Sequence, residues 1–91
     1  MLEGVQTMKG LNMVQYDNKV ICQLYDTVVA IVPTDSQTAI PIVKHGGYIT
    51  MSTTKAINKA LAKAGLANWH CYRKLGTMYC TDGNITITVG A

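Results

Sequence analysis

The strongest constraint on the fold is a single stretch with the periodicity of an amphipathic helix. Its apolar side chains recur on one stripe, at Ala56, Ile57, Ala60, Leu61 and Ala64. Hydroxyl side chains at residues 52–54 are typical helix N-caps, and Gly65 can end a helix in a left-handed conformation. The pattern predicts one helix over about residues 52–64, with small alanines that allow close packing on a sheet.

Most of the remaining chain has the alternation and β-branched composition of strands, broken by turn residues. Strands are predicted over residues 11–16, 20–24, 27–32, 38–43, 68–74, 77–81 and 84–89. Pro41 lacks an N–H for the ladder, which makes residues 38–43 an edge strand. The predicted fold class is α+β, an antiparallel sheet of five to seven short strands with the one helix packed on it.

The turns of the last three strands predict which side chains share a face. Leu75–Gly76 and Asp82–Gly83 are both interpreted as two-residue hairpin loops. Cross-strand partners then place a core face at Trp69, Cys71, Met78, Cys80, Ile85, Ile87 and Val89. The opposite face carries His70, Tyr72, Lys74, Thr77, Tyr79, Thr81, Thr86 and Thr88.

Length and hydropathy limit the chain to one domain over residues 1–91, with the first ten residues expected to be loosely ordered. The longest apolar run, residues 28–32, is far shorter than the roughly 20 residues of a membrane span. The start of the chain has no secretory pattern, and three cysteines are an odd number for a disulfide framework. A reducing cytoplasm is therefore the expected location. Cys71 and Cys80 face each other in the predicted register, as reduced thiols or as a bridge.

Charge is distributed unevenly along the chain. Residues 36–81 contain no acid and carry Lys44, Lys55, Lys59, Lys63, Arg73 and Lys74. Such a basic segment can attract phosphates or an acidic protein, and it is equally typical of a solvated lysine face.

The first candidate site is the predicted open face of the last strands. Tyr72, Tyr79, His70 and Lys74 form an aromatic and basic patch there, beside Lys55, Lys59 and Lys63 on one edge of the helix. Tyrosines on a sheet stack nucleobases or anchor protein interfaces. Ordinary cross-strand pairing explains them as well.

The second candidate is the start of the helix, where Thr53, Thr54 and Lys55 follow the Gly46–Gly47 break. Free backbone N–H groups at a helix start suit a phosphate or a nucleotide, although the P-loop pattern is missing. Simple capping of the helix explains the same residues.

Catalysis has little support in this sequence. The acids are scattered, and His45 and His70 have no neighbouring nucleophile and orienting group. No cysteine–histidine spacing indicates a metal site. We therefore expect a non-enzymatic binding protein without a cofactor. An edge strand at residues 38–43 also allows a homodimer.

The stretch from Leu24 to Thr81 resembles a family of small proteins from tailed bacteriophages. The resemblance rests on residues 24–29 (LYDTVV), 46–50 (GGYIT), 53–55 (TTK), 57–58 (IN), 65–66 (GL), 72–74 (YRK) and 76–79 (GTMY). Tyr48 matches the aromatic residue that family members have after the two glycines. Where they have a glutamine before a basic residue, this chain has Tyr72 or Arg73, depending on the alignment.

This resemblance implies a phage protein made in a bacterial cell, and it transfers no activity. We expect a binding module whose partner is a host or phage protein, for example an inhibitor of a host defence or host enzyme. Nucleic-acid binding by the aromatic and basic face is the alternative, and nucleotide or phosphate binding at the helix start is a third.

Overall fold

The computed structural model describes residues 9–34, 40–66 and 68–91. The elements in this part of the chain are β1 (Leu11–Tyr16), β2 (Lys19–Leu24), β3 (Thr27–Pro33), β4 (Ile42–Val43), α1 (Met51–Lys63), β5 (His70–Lys74), β6 (Thr77–Thr81) and β7 (Thr86–Thr88). They form two antiparallel sheets, ordered β1-β2-β3-β4 and β5-β6-β7, with α1 packed on both. The α+β prediction is confirmed, with two sheets in place of one.

Two tight hairpins build the first sheet. Tyr16 pairs with Lys19 around Asp17–Asn18, and Leu24 pairs with Thr27 around Tyr25–Asp26. The register shifts next to Cys22, so β3 has one extra residue opposite β2. As a result the consecutive residues Val29 and Ala30 are both buried.

Strand β4 is shorter than the sequence pattern predicts. Residues 38 and 39 of the predicted strand lie outside the described residues, and the ladder contains only Ile42 and Val43. Proline at position 41 cannot donate to the ladder, which explains the late start. An isolated parallel bridge between Lys44 and Gly90 then joins the two sheets, and the His45 N–H donates to the Gly90 carbonyl at 2.9 Å.

The helix has the predicted extent, but a different residue caps it. The hydroxyl of Thr50, outside the predicted group at residues 52–54, accepts from the Thr53 N–H at 3.3 Å. At the other end Gly65 has φ +83°, and the Leu66 N–H bonds to the Leu61 carbonyl at 2.9 Å. Together with the Gly65 N–H bond to the Ala62 carbonyl at 3.1 Å, this bond forms a Schellman cap, so the helix ends before Gly65 as predicted, and Leu66 is buried.

One hairpin of the second sheet has the predicted register and the other does not. Lys74 pairs with Thr77 around Leu75–Gly76, both at positive φ. At the second turn Thr81 pairs with Thr86, so the loop has four residues where two were predicted. The Asp82 carboxylate accepts from the N–H groups of Asn84 and Ile85, each at 2.8 Å, and these bonds stabilise the wider loop.

The wider loop moves one predicted core residue to the surface. Ile85 is 46% exposed, so the prediction that it is buried was wrong. The shift is two residues, which preserves the faces of the sheet, and Ile87 is half-buried opposite Cys80. The other predicted core residues are buried: Ile57, Leu61, Trp69 and Met78.

An asparagine links the helix to the second sheet. The side-chain amide of Asn58 donates to the Cys71 carbonyl at 2.9 Å and accepts from the Cys71 N–H at 2.7 Å. These are the backbone groups that β5 turns away from β6, so Asn58 takes the place of a further strand at this edge. The sequence pattern gave no sign of this contact.

Candidate functional site

The predicted aromatic face exists on the second sheet, as a stacked row. The rings of Tyr72 and Tyr79 lie 5.5 Å apart at 29°, and those of His70 and Tyr72 lie 6.2 Å apart at 10°. Both tyrosines are half-buried and His70 is exposed. Because the rings stack on one another, part of their flat surface is already occupied.

The predicted lysine row lies on a different element. Lys55 and Lys63 are exposed and Lys59 is half-buried on α1, while Lys74 ends β5. Cys71 and Cys80 are buried on the core face of the sheet, and α1 contacts Cys71 through Asn58 on that side. Tyr72 and Tyr79 alternate with these cysteines and therefore lie on the opposite face. The structure therefore divides the predicted patch into a ring row on the sheet and a lysine row on the helix.

The threonines predicted to bind phosphate are engaged within the helix. Thr53 and Thr54 are buried; the Thr54 hydroxyl donates to the Met51 carbonyl at 2.8 Å, and the Thr53 hydroxyl lies 3.2 Å from that of Thr50. Neither hydroxyl caps the helix, because Thr50 is the N-cap; both are engaged in contacts within the first turn. Lys55 is directed to solvent.

A pocket of about 330 Å³ lies beside the start of α1. Two separate segments line it: residues 24–27 and 29, from the β2–β3 hairpin, and residues 45, 48, 50, 52 and 53, from the chain entering the helix. Its size is at the lower end of the range for ligand pockets, about 300–1,000 Å³. Sequence reasoning noted only the helix start and missed the pocket, because the hairpin side of it is brought in by tertiary packing.

Two exposed tyrosines give the pocket its aromatic character. Tyr25 is 63% exposed and Tyr48 is 62% exposed, and both line the opening. Tyrosine offers a large, stiff, amphipathic surface to a partner at low entropic cost. The aromatic residue after Gly46–Gly47 was visible in the sequence, but nothing there paired it with Tyr25.

The polar groups of the pocket are few and of mixed character. The Nδ1 atom of His45 accepts from the Gly47 N–H at 2.9 Å, so the neutral ring carries its proton on Nε2 and can donate. Asp26 contributes a carboxylate, and Thr50 and Ser52 contribute hydroxyls. No lysine or arginine is among the lining residues of this part of the structure, so the pocket fits an uncharged group better than a phosphate.

Tyr25 adopts a backbone conformation that its side chain disfavours. Its φ is +57°, in the left-handed region where bulky residues are uncommon. The turn is held by the Tyr25 N–H, which donates to the Gly10 carbonyl at 2.7 Å, and by the Gln23 side chain, which donates to the Tyr25 carbonyl. The ring packs where a Cβ on Gly10 would be. The position of this pocket residue is therefore fixed in advance of binding.

Neither metal chemistry nor reactive thiols are indicated by the described residues. Within residues 9–34, 40–66 and 68–91, no three metal-binding side chains lie together. Cys22, Cys71 and Cys80 are free and buried, and burial raises their pKa values to about 11, 12 and 11. In the same ranges no helix is long and apolar enough to span a bilayer.

Comparison with known proteins yields no match to a family model, to a curated protein or to a solved structure. The resemblance to tailed-bacteriophage proteins stays a prediction.

Proposed function

We propose that the protein is a non-enzymatic binding module and that its partner is another protein. The supporting observation is the pocket beside α1, whose opening carries Tyr25 and Tyr48. A pocket of this size accommodates one aliphatic or aromatic side chain of a partner. Tyrosine is one of the residue types enriched among those that carry most of the binding energy in protein interfaces.

The chemistry of the pocket favours a neutral group over an anion. The Asp26 carboxylate repels a phosphate, and His45 offers a donor to a carbonyl or hydroxyl of the partner. We therefore expect the partner to insert a side chain such as leucine, tyrosine or tryptophan and to bond its backbone at the rim. The resemblance to phage proteins directs the search for this partner to phage and bacterial host proteins.

The test compares two tyrosines of nearly equal exposure. Tyr48 lines the pocket, whereas Tyr16, which is 59% exposed at the end of β1, does not. Immobilised wild-type protein is used to capture partners from bacterial lysate, and the purified partner is then titrated by calorimetry. We expect Tyr48→Ala to weaken binding by at least about 2 kcal/mol, or roughly thirtyfold, and Tyr16→Ala to leave it unchanged. Full binding by a folded Tyr48→Ala variant would contradict the proposal.

Nucleic-acid binding is the second candidate, and the row formed by His70, Tyr72 and Tyr79 favours it. The exposed Lys74 lies on the same face of β5 as this row, whereas Arg73 pairs with the buried Met78 on the other face. In gel shifts with single-stranded DNA and RNA, Tyr79→Ala should lose about 1–3 kcal/mol of binding free energy if bases stack on the row. Replacing Lys55, Lys59 or Lys63 by alanine should reduce the salt dependence of the binding affinity only if the helix also contacts phosphates. Absence of a shift at low salt eliminates this candidate.

A further inference from the structure

The edges of the two sheets are protected to very different degrees. Strands β4 and β7 contain only two and three residues, and the Lys44–Gly90 bridge joins the sheets beside them. The edge of β5 is occupied by the Asn58 amide. Short strands and covered edges are the usual defences against edge-to-edge pairing.

Strand β1 is not short, and within residues 9–34, 40–66 and 68–91 no element covers its edge. It is six residues long, contains no charge and no proline, and pairs with β2 in an unbroken register. Exposed edge strands of natural proteins usually contain a lysine, a proline or a bulge. Among the described residues, none is paired with the other side of β1.

The β1–β2 hairpin determines which backbone groups point outward. Tyr16 and Lys19 close a two-residue turn and so form a hydrogen-bonded pair. Alternation along the antiparallel ladder then bonds Val14 and Asn12 to β2. The N–H and C=O groups of Leu11, Met13 and Gln15 face away from the sheet.

These outward groups are complementary to themselves under a two-fold rotation. When Met13 lies opposite Met13 of a second copy, Leu11 of each copy lies opposite Gln15 of the other. Each of these three residue pairs can then exchange two backbone hydrogen bonds. We propose that the protein forms a symmetric homodimer through antiparallel pairing of β1 with β1 of a second copy. This inference is independent of the pocket and of its partner.

The partial burial of the apolar side chains on β1 also favours pairing with a second copy. Leu11 and Met13 lie on the core face of the sheet and pack against the core, yet they are only half-buried. On the other face Val14 is exposed and begins an apolar row that continues through Ile21, Ile31 and Ile42. In the proposed register Met13 covers Met13 and Val14 lies opposite Asn12, so the second copy covers apolar surface on both faces.

The first measurement is the mass of the wild-type protein by light scattering over a dilution series. A symmetric dimer has twice the monomer mass of 9.9 kDa and dissociates on dilution. Met13→Pro removes the outward N–H at the axis without removing a bond to β2, and it should give the monomer mass at every concentration. A wild-type protein that is monomeric throughout the series overturns the proposal, whatever else covers β1.

Engineered disulfides test the register. In a hydrogen-bonded antiparallel pair the Cα atoms lie about 5.5 Å apart, within the range for a disulfide, so Met13→Cys should form a covalent dimer on mild oxidation. Val14→Cys is the matched control, because Val14 is more exposed but lies diagonally from its copy, beyond about 7 Å. The buried native thiols should not compete. Cross-linking of Val14→Cys faster than Met13→Cys overturns the proposed register.

Discussion

At the scale of single residues, Asp82 links the β6–β7 loop to pH. Its carboxylate accepts two short backbone bonds, and these bonds hold its pKa below the ordinary value of 3.8. A lowered folded-state pKa stabilises the protein fully above the ordinary value, and this contribution is lost as pH falls through the folded value.

The first prediction follows from this lowered pKa of Asp82. The thermal midpoint should fall between about pH 5 and pH 2, and part of the fall should disappear in Asp82→Asn, which retains an acceptor but does not titrate. Circular dichroism melts at several pH values measure this. An identical pH profile for the two proteins would show that the carboxylate does not stabilise the loop.

Leu75 combines two unfavourable properties at the tip of the β5–β6 hairpin. It is 95% exposed, and its φ is +51°, a conformation that costs an L-residue about 1–2 kcal/mol. Leu75→Asn should therefore raise the free energy of unfolding by about 1 kcal/mol, because asparagine tolerates this turn position. Urea denaturation measures the change, and a lower urea midpoint would mean that the leucine makes a stabilising contact.

At the scale of elements, the Asn58 side chain connects α1 to β5. Loss of its amide leaves the Cys71 N–H and C=O without partners in a partly buried place. Asn58→Ala should therefore cost about 1–3 kcal/mol of stability. Asn68→Ala, at an exposed position, is the control and should change stability by less than about 0.5 kcal/mol. Equal urea midpoints for the two variants would contradict this role.

Local patterns predicted elements well where backbone chemistry alone determines them. The helix, its Schellman cap and the Leu75–Gly76 turn are all fixed by residues next to each other in sequence. The prediction was wrong at Asp82–Gly83, where a side chain bonds two backbone N–H groups and makes a wider loop. The predicted strand at residues 38–43 was also too long, because among its described residues only Ile42 and Val43 pair with β3.

The candidate site was less predictable than the elements. The ring row follows from a hairpin register, so it could be derived from the sequence. The pocket combines the β2–β3 turn with the chain before α1, about twenty residues apart in sequence, and no periodicity encodes that approach. Asn58 was missed for the same reason, because its partner is on another element.

At the scale of the whole molecule, α1 holds the two sheets together. Leu61 is 1% exposed in the core that the sheets and the helix share. Leu61→Ala should cost about 2–5 kcal/mol, because the cavity it leaves cannot fully collapse. Leu75→Ala deletes the same atoms at an exposed position and should change stability by no more than about 0.5 kcal/mol. Thermal melts that shift equally for both variants would contradict the shared core.

The bridge between Lys44 and Gly90 has a consequence for the order of folding. Each sheet is built from hairpins that are local in sequence, and such contacts form early because they close short loops. The bridge joins residues 46 positions apart and contributes only one ladder pair. Hydrogen exchange should therefore be faster for the His45 amide, which bonds to Gly90 between the two sheets. It should be slower for the Val89 amide, which bonds to Met78 next to the second sheet. We therefore expect the contact between the two sheets at Lys44 and Gly90 to open before the second sheet unravels.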